Sequence, residues 1–261
     1  MLLESTDRMQ KSPEGIRAVI FDLGYTLINF SGDLSEVSKL SYSTLTDQLI
    51  ANGCSLDHEA FTARFRELMQ LYYTQREIDM LELPVHRIVT RALEEFGQSC
   101  VDEGQIISAM HRMYEVTENH WQLEDDTIDT LRNLQDRGYS LGLITNASDA
   151  WDVNNLINNN QLRGFFNVIL ISAEEGIRKP DKRIFEKAAS LLKVDFSQMV
   201  MVGDTLQADI LGARQCGMKT VWISRRAEDS RYELRVKPEL QADAEIRTLA
   251  ELPDLISSWN N

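Results

Sequence analysis

The chain predicts an α/β fold in which a parallel sheet carries helices on both faces and a helical segment interrupts the pattern near the start. Three observations support this. From about residue 125 to the C-terminus, short apolar runs alternate with helical patterns. One further apolar run, Ala18-Val19-Ile20-Phe21, stands apart near the N-terminus. Between them, from about Ser31 to Trp121, the periodicity is helical and strand signals are lacking.

Residues 16–22 read as a buried strand ending on Asp22, followed by the glycine-containing turn Leu23-Gly24-Tyr25-Thr26. In the insert, Phe61, Phe65, Leu68 and Leu71 recur at helical steps. So do Val85, Ile88, Val89, Ala92, Leu93 and Phe96 behind Pro84, an acceptable first helical residue. Ile106, Met110 and Met113 continue the step, with Asn52-Gly53 and Gly97 as helix stops. The insert therefore predicts about four helices.

Beyond it, a helix over 125–137 starts at Glu124-Asp125-Asp126, read as a solvated acidic first turn, and stops at Gly138. Strands are predicted at 139–145, 166–171, 199–203, 219–223 and 243–247. Helices are predicted from Ser148, over 181–193 and over 206–216. Residues 224–241 are charged, contain Pro238 and read as a loop.

At 261 residues the length suffices for a substantial core. A net charge of −14 and a pI near 4.8 exclude broad electrostatic binding to nucleic acid or to an anionic membrane. A phosphate substrate remains open, because a local cation outweighs a distant surface field. Cys54, Cys100 and Cys216 are widely spaced and form no CxxC pair, so they read as reduced structural thiols of a cytoplasmic protein. Residues 1–15 read as a frayed leader without a secretory apolar region, and no apolar stretch matches a membrane span.

Parallel sheets bind ligands at the carboxyl ends of their strands, and Asp22, Thr145 and Asp204 fall at such ends. Asp22 and Asp204 on neighbouring strands, with Asp209 in the following helical turn, would concentrate negative charge that a divalent cation such as magnesium relieves. Alternatively, Asp204 and Asp209 cap a helix N-terminus. Thr145-Asn146 either caps the next helix or offers a hydroxyl and backbone donors to phosphate oxygens. Lys179, fixed between Gly176 and Pro180, is either a solvated loop lysine or a cation serving phosphate and carboxylate together.

Phe21-Asp22-Leu23-Gly24-Tyr25-Thr26-Leu27, Ile144-Thr145-Asn146, Lys179-Pro180 and Gly203-Asp204-Thr205-Leu206-Gln207-Ala208-Asp209 resemble the four ordered motifs of the haloacid dehalogenase-like (HAD) hydrolase superfamily. The resemblance spans roughly residues 16–250. It implies a Rossmann-like core of residues 1–30 and 123–261 and a helical cap of residues 31–122. It further implies a magnesium-dependent phosphatase acting on small phosphorylated metabolites through an aspartyl-phosphate. By position, Asp22 is the nucleophile and a metal ligand, and Thr145 and Asn146 hold the phosphoryl group. Lys179 steadies Asp22 and the phosphoryl charge, while Gly24 (through its carbonyl), Asp204 and Asp209 complete the metal site.

One departure stands out. The family's first motif has a second aspartate, the general acid and base, where this chain has Gly24. Such help is worth ~10²–10⁴-fold. Three readings follow: a phosphatase whose protons travel through water or a cap residue, a dehalogenase-like enzyme whose halide needs no proton, or a non-catalytic binding module. His58, His86, His111 and His120 lack ligand spacing and read as ordinary insert residues. Tyr72, Tyr73, Met110, Met113 and Trp121 read as cap core, and Tyr25 either packs the turn or gates the site.

Overall fold

Apolar runs bury on both faces when the sheet they join is covered on both sides, and β1 (Ala18–Phe21) is fully enclosed. Its alternate residues separate two cores. Val19 and Phe21 pack with Leu141, Leu143, Val200 and Val202 on one face, and Ala18 and Ile20 pack with Ile144, Met199, Met201 and Phe185 on the other. The coordinates, a computed structural model, describe residues 15–98, 101–227 and 241–260. The predicted leader up to residue 14, Cys100 and most of the 224–241 loop lie outside the described residues.

After β1 come β2 (Ile28–Phe30) and the insert helices α1 (Leu34–Ala51), α2 (His58–Asp79), α3 (Val85–Glu95) and α4 (Glu103–Glu118). Next are β3 (Trp121–Leu123), α5 (Thr127–Asp136), β4 (Ser140–Thr145), α6 (Ala150–Asn159), β5 (Val168–Ile171) and the short α7 (Ser172–Glu175). The chain closes with α8 (Lys182–Leu192), β6 (Met199–Gly203), α9 (Gly212–Gln215), β7 (Lys219–Ile223), β8 (Ala244–Ile246) and α10 (Leu252–Trp259).

The main sheet has the order β5-β4-β1-β6-β7-β8, and each neighbouring pair is parallel. Phe21 lies level with Leu143 on one side and Val202 on the other, so β1 ends one residue before β6 and two before β4 at the same rim. The strand order reverses direction at β1, the place where open α/β sheets leave a ligand crevice. This is the predicted Rossmann-like arrangement.

The insert helices enclose an apolar core of their own around Leu45, Phe61, Phe65, Val89, Leu93 and Met110. Their starts are set by side chains that satisfy first-turn N–H groups: Asp33 for α1, Asp57 for α2 and Asp102, with Gln105, for α4. Asp149 and Asp181 do the same for α6 and α8.

Four details differ from expectation. A two-stranded antiparallel ribbon, β2 with β3, joins the two ends of the insert; three-residue strands are too short to show a period. Leu71 and Tyr73 are solvent-facing while Met69 and Tyr72 fill the core, because the buried stripe of α2 runs from Leu68 through Met69 to Tyr72. Trp121 packs against Tyr25 and Phe30 beside the sheet and is not part of the insert core. The Glu124–Asp126 run is not a solvated turn. Glu124 is buried and pairs with Arg225 at 2.6 Å and with Arg226, while Asp126 pairs with Arg225 at 3.0 Å. Those arginines arrive from a segment a hundred residues away, which no local pattern reveals.

Candidate active site

Strand β1 delivers Asp22 to the rim, and its N–H continues the ladder to the Val202 carbonyl at 3.0 Å. The Lys179 ammonium donates to Asp22 Oδ1 and to Asp209 Oδ1, each at 2.7 Å. Lys179 is 2% exposed and Asp209 1%, so the sequence alternative of a solvated lysine does not describe this residue. Burial alone would lower the lysine's affinity for its proton, but Asp209 and Asp22 outweigh it and leave the pKa raised. Burial, with Asp22 beside it, pushes the Asp209 carboxyl up against the opposing pull of Lys179.

The loop carrying Lys179 is clamped to the end of β4. Asn146 Nδ2 donates to the Lys179 carbonyl at 2.9 Å, and the Lys179 N–H donates to Asn146 Oδ1 at 2.8 Å. The Asn146 side chain is thus engaged on the lysine backbone. Thr145, the last residue of β4, is buried and lines the same cavity as Asp22.

Asp204 follows β6, its carbonyl held by Trp222 Nε1 at 2.8 Å and its Oδ1 by the Thr205 hydroxyl at 3.2 Å. The predicted helix over 206–216 begins as a π-helical turn, Leu206–Leu211, a wider geometry that occurs frequently at functional sites. Within it, Asp209 folds back so that Oδ2 accepts the Thr205 N–H at 3.0 Å. Its carboxylate occupies the space that a side chain at residue 203 would need, so Gly203 is required there by close approach.

Asp22, Asp204 and Asp209 each offer a carboxylate oxygen, and these atoms lie within 4.8 Å of one another. Two of the three carboxylates, Asp22 and Asp209, share one buried ammonium, and the donors of the cluster are all hard oxygens. That set fits a divalent cation of the magnesium class. Gly24 adjoins the cavity, and a Cβ there would meet only the Trp121 ring at 3.5 Å, ordinary contact distance.

The cavity above these groups holds about 420 Å³ and is also bordered by Tyr25, Trp121, Asp152, Arg178, Glu77 and Gln207. Sequence reasoning gave no role to the last four. Arg178 donates to Glu77 of α2 at 2.7 Å, and Glu82 is buried against Arg76 at 3.0 Å, the Ser172 hydroxyl at 2.9 Å and Tyr72. A bridge between Leu81 and Ile177 completes this seam between the insert and the Lys179 loop. Arg178 stood beside a motif lysine, but nothing near Glu82 in the sequence signals its burial.

The model of the haloacid dehalogenase-like hydrolase family matches residues 16–217, and the chain belongs to that family. A glyceraldehyde 3-phosphate phosphatase of Pyrococcus furiosus is 29% identical over 94% of this chain and 95% of its own length. Among solved structures, a HAD phosphatase from Thermococcus onnurineus is 26% identical with a TM-score of 0.61, covering 92% of this chain and 98% of that one. A 2-haloacid dehalogenase from Pseudomonas syringae is 25% identical with a TM-score of 0.65, covering 94% and 99%. Among the described residues no helix is long and apolar enough to cross a membrane.

Proposed function

We propose that this hydrolase is a magnesium-dependent phosphatase that cleaves small phosphomonoesters through a phosphoryl-enzyme on Asp22. The observation that carries the reading is the buried Lys179 bridging Asp22 and Asp209 at 2.7 Å each, with Asp204 alongside and Thr145 across the cavity. The phosphatase names of relatives such as the Pyrococcus furiosus protein support it.

In this reading Asp22 attacks phosphorus in line, and Lys179 orients it and offsets charge on the phosphoryl oxygens. Thr145 donates its hydroxyl to the phosphoryl group. The Asn146 side chain secures the lysine loop, so its own phosphate contact would come from the main chain. Asp22, Asp204, Asp209 and the Gly24 carbonyl would hold magnesium, which supplies positive charge to the transferring group. We divide the chain into a core of residues 1–30 and 123–261 and a cap of residues 31–122, with β2 and β3 as the crossing point. The cap would close over a small phosphorylated metabolite and exclude water.

A second reading, haloacid hydrolysis, is favoured by Gly24 and by the similarity to the Pseudomonas syringae dehalogenase. Against it stands the three-carboxylate cluster, for which halide displacement has no use. A panel of phosphate esters and 2-haloacids, assayed with and without magnesium, separates the two. Metal-dependent phosphate release supports the phosphatase, and metal-independent halide release overturns it.

A further inference from the structure

In-line transfer to Asp22 puts the leaving oxygen on the side of phosphorus away from β1, toward the insert. A proton donor for that oxygen must border the cavity there. Five carboxyl side chains line the cavity, and four are engaged: Asp22 and Asp209 with Lys179, Asp204 with the Thr205 hydroxyl, and Glu77 with Arg178. The fifth is Asp152, in the first turn of α6, whose buried Oδ1 has no hydrogen-bond partner among the described residues. Asp152 also borders the adjoining cavity of about 180 Å³ formed with Tyr73, Met113 and Tyr114 of the insert. It therefore lines both spaces, on the insert side of the site where a departing alcohol would lie.

We propose that Asp152 is the general acid and base of this site, taking over the task for which Gly24 has no side chain. The proposal rests on the phosphatase reading. In the first step Asp22 Oδ bonds to phosphorus, the P–O bond to the alcohol breaks, and the Asp152 proton passes to the leaving oxygen. In the second, the Asp152 carboxylate takes a proton from water as that oxygen attacks phosphorus. Inorganic phosphate departs, Asp22 regains its carboxylate and Asp152 its proton.

The surroundings favour the acid form. Burial, then Glu118 of α4 and Asp149 at the start of α6, push the Asp152 carboxyl well above its ordinary value. Tyr114 of α4 is a phenol pushed up by burial first and then by Asp149 and Asp152, and it stays neutral. The imidazoles of His111 and His86 act on Asp149.

The test compares a glycerol phosphate with p-nitrophenyl phosphate, whose leaving group needs little proton assistance, at fixed magnesium. Asp152→Asn should lower kcat/KM on the alkyl ester by ~10²–10⁴-fold and change the aryl ester by less than about tenfold. Asp152→Glu should restore part of the alkyl rate. Gly24→Asp, whose Cβ would meet the Trp121 ring at ordinary contact distance, should restore it in the Asp152→Asn background. Circular dichroism checks that each variant folds. Equal loss on both esters, or no loss on either, overturns the role of Asp152 and leaves the phosphatase reading intact. Absence of phosphate release by wild-type protein from either ester overturns both.

Discussion

Lys179 reaches Asp22 across 157 positions of sequence, its ammonium 2.7 Å from Oδ1, and a second carboxylate, Asp209, lies equally close. The lysine is thus the counter-ion of a buried acidic pair. Lys179→Met should abolish hydrolysis and leave both carboxylates unmatched, a change that costs about 3–5 kcal/mol where a buried pair is broken. Because a divalent cation replaces part of the missing charge, added magnesium should raise the variant's Tm more than that of wild type. Calorimetry with and without metal measures this.

In the proposed mechanism Asn146 acts through that lysine, whose backbone it holds. Asn146→Ala removes both hydrogen bonds to the Lys179 backbone and should cost about 1–3 kcal/mol of stability by leaving polar groups unmatched. The expected kinetic signature is a fall in kcat of about 10–100-fold with little change in magnesium affinity, since the carboxylate ligands stay in place. Steady-state kinetics over a magnesium titration reads both quantities.

Gly203→Ala should instead strike the proposed magnesium site. The added methyl would overlap the Asp209 carboxylate, which must swing away or the strand end must shift. Overpacking of this kind costs about 1–3 kcal/mol, and magnesium should bind at least tenfold more weakly. Isothermal titration with magnesium alone checks this without reference to turnover.

Glu82 anchors the seam between α2 and the Lys179 loop, receiving Tyr72, Arg76 and Ser172 in a buried setting. Glu82→Ala leaves Arg76, and Arg178 whose Nε lies 3.5 Å from Glu82 Oε2, without their shared carboxylate. It should destabilise by about 3–5 kcal/mol, the range for breaking a buried pair. Glu82→Gln, which keeps the shape and loses the charge, should cost less. Urea denaturation of both variants orders them.

Stability at acid pH should depend on Asp243. Burial opposes ionisation, but the Thr220 hydroxyl and N–H, each 2.9 Å away, and Lys219 outweigh it and hold the carboxyl below its ordinary value. A depressed folded-state pKa gives stability that is complete above the unfolded value, about 3.9, and is lost as pH falls through the folded value. The Tm gap between wild type and Asp243→Asn should therefore be widest near about pH 7 and shrink below about pH 4.

Much of this was legible in the chain itself. Apolar strands buried on both faces, and motif residues at their ends, led directly to the sheet and to Asp22, Thr145, Lys179, Asp204 and Asp209. These features depend on local pattern and order. What local pattern could not show depends on partners far away in sequence. Glu124 becomes buried because Arg225 and Arg226 return to it, and Glu82 because Ser172 and Arg76 meet it. Asp152 reads as an ordinary first-turn acid until the fold leaves its oxygen unmatched beside the cavity. The β2–β3 ribbon escaped because each strand has only three residues.

The proposed mechanism requires that Asp22 itself become phosphorylated. The most direct measurement mixes the protein with magnesium and a phosphate ester, quenches in acid within a turnover, and maps the modified peptide by mass spectrometry. One phosphoryl group is expected on the peptide containing Asp22, absent without magnesium and absent in Asp22→Asn. Undiminished phosphate release by folded Asp22→Asn protein, or a phosphoryl group carried by a different residue, would contradict it.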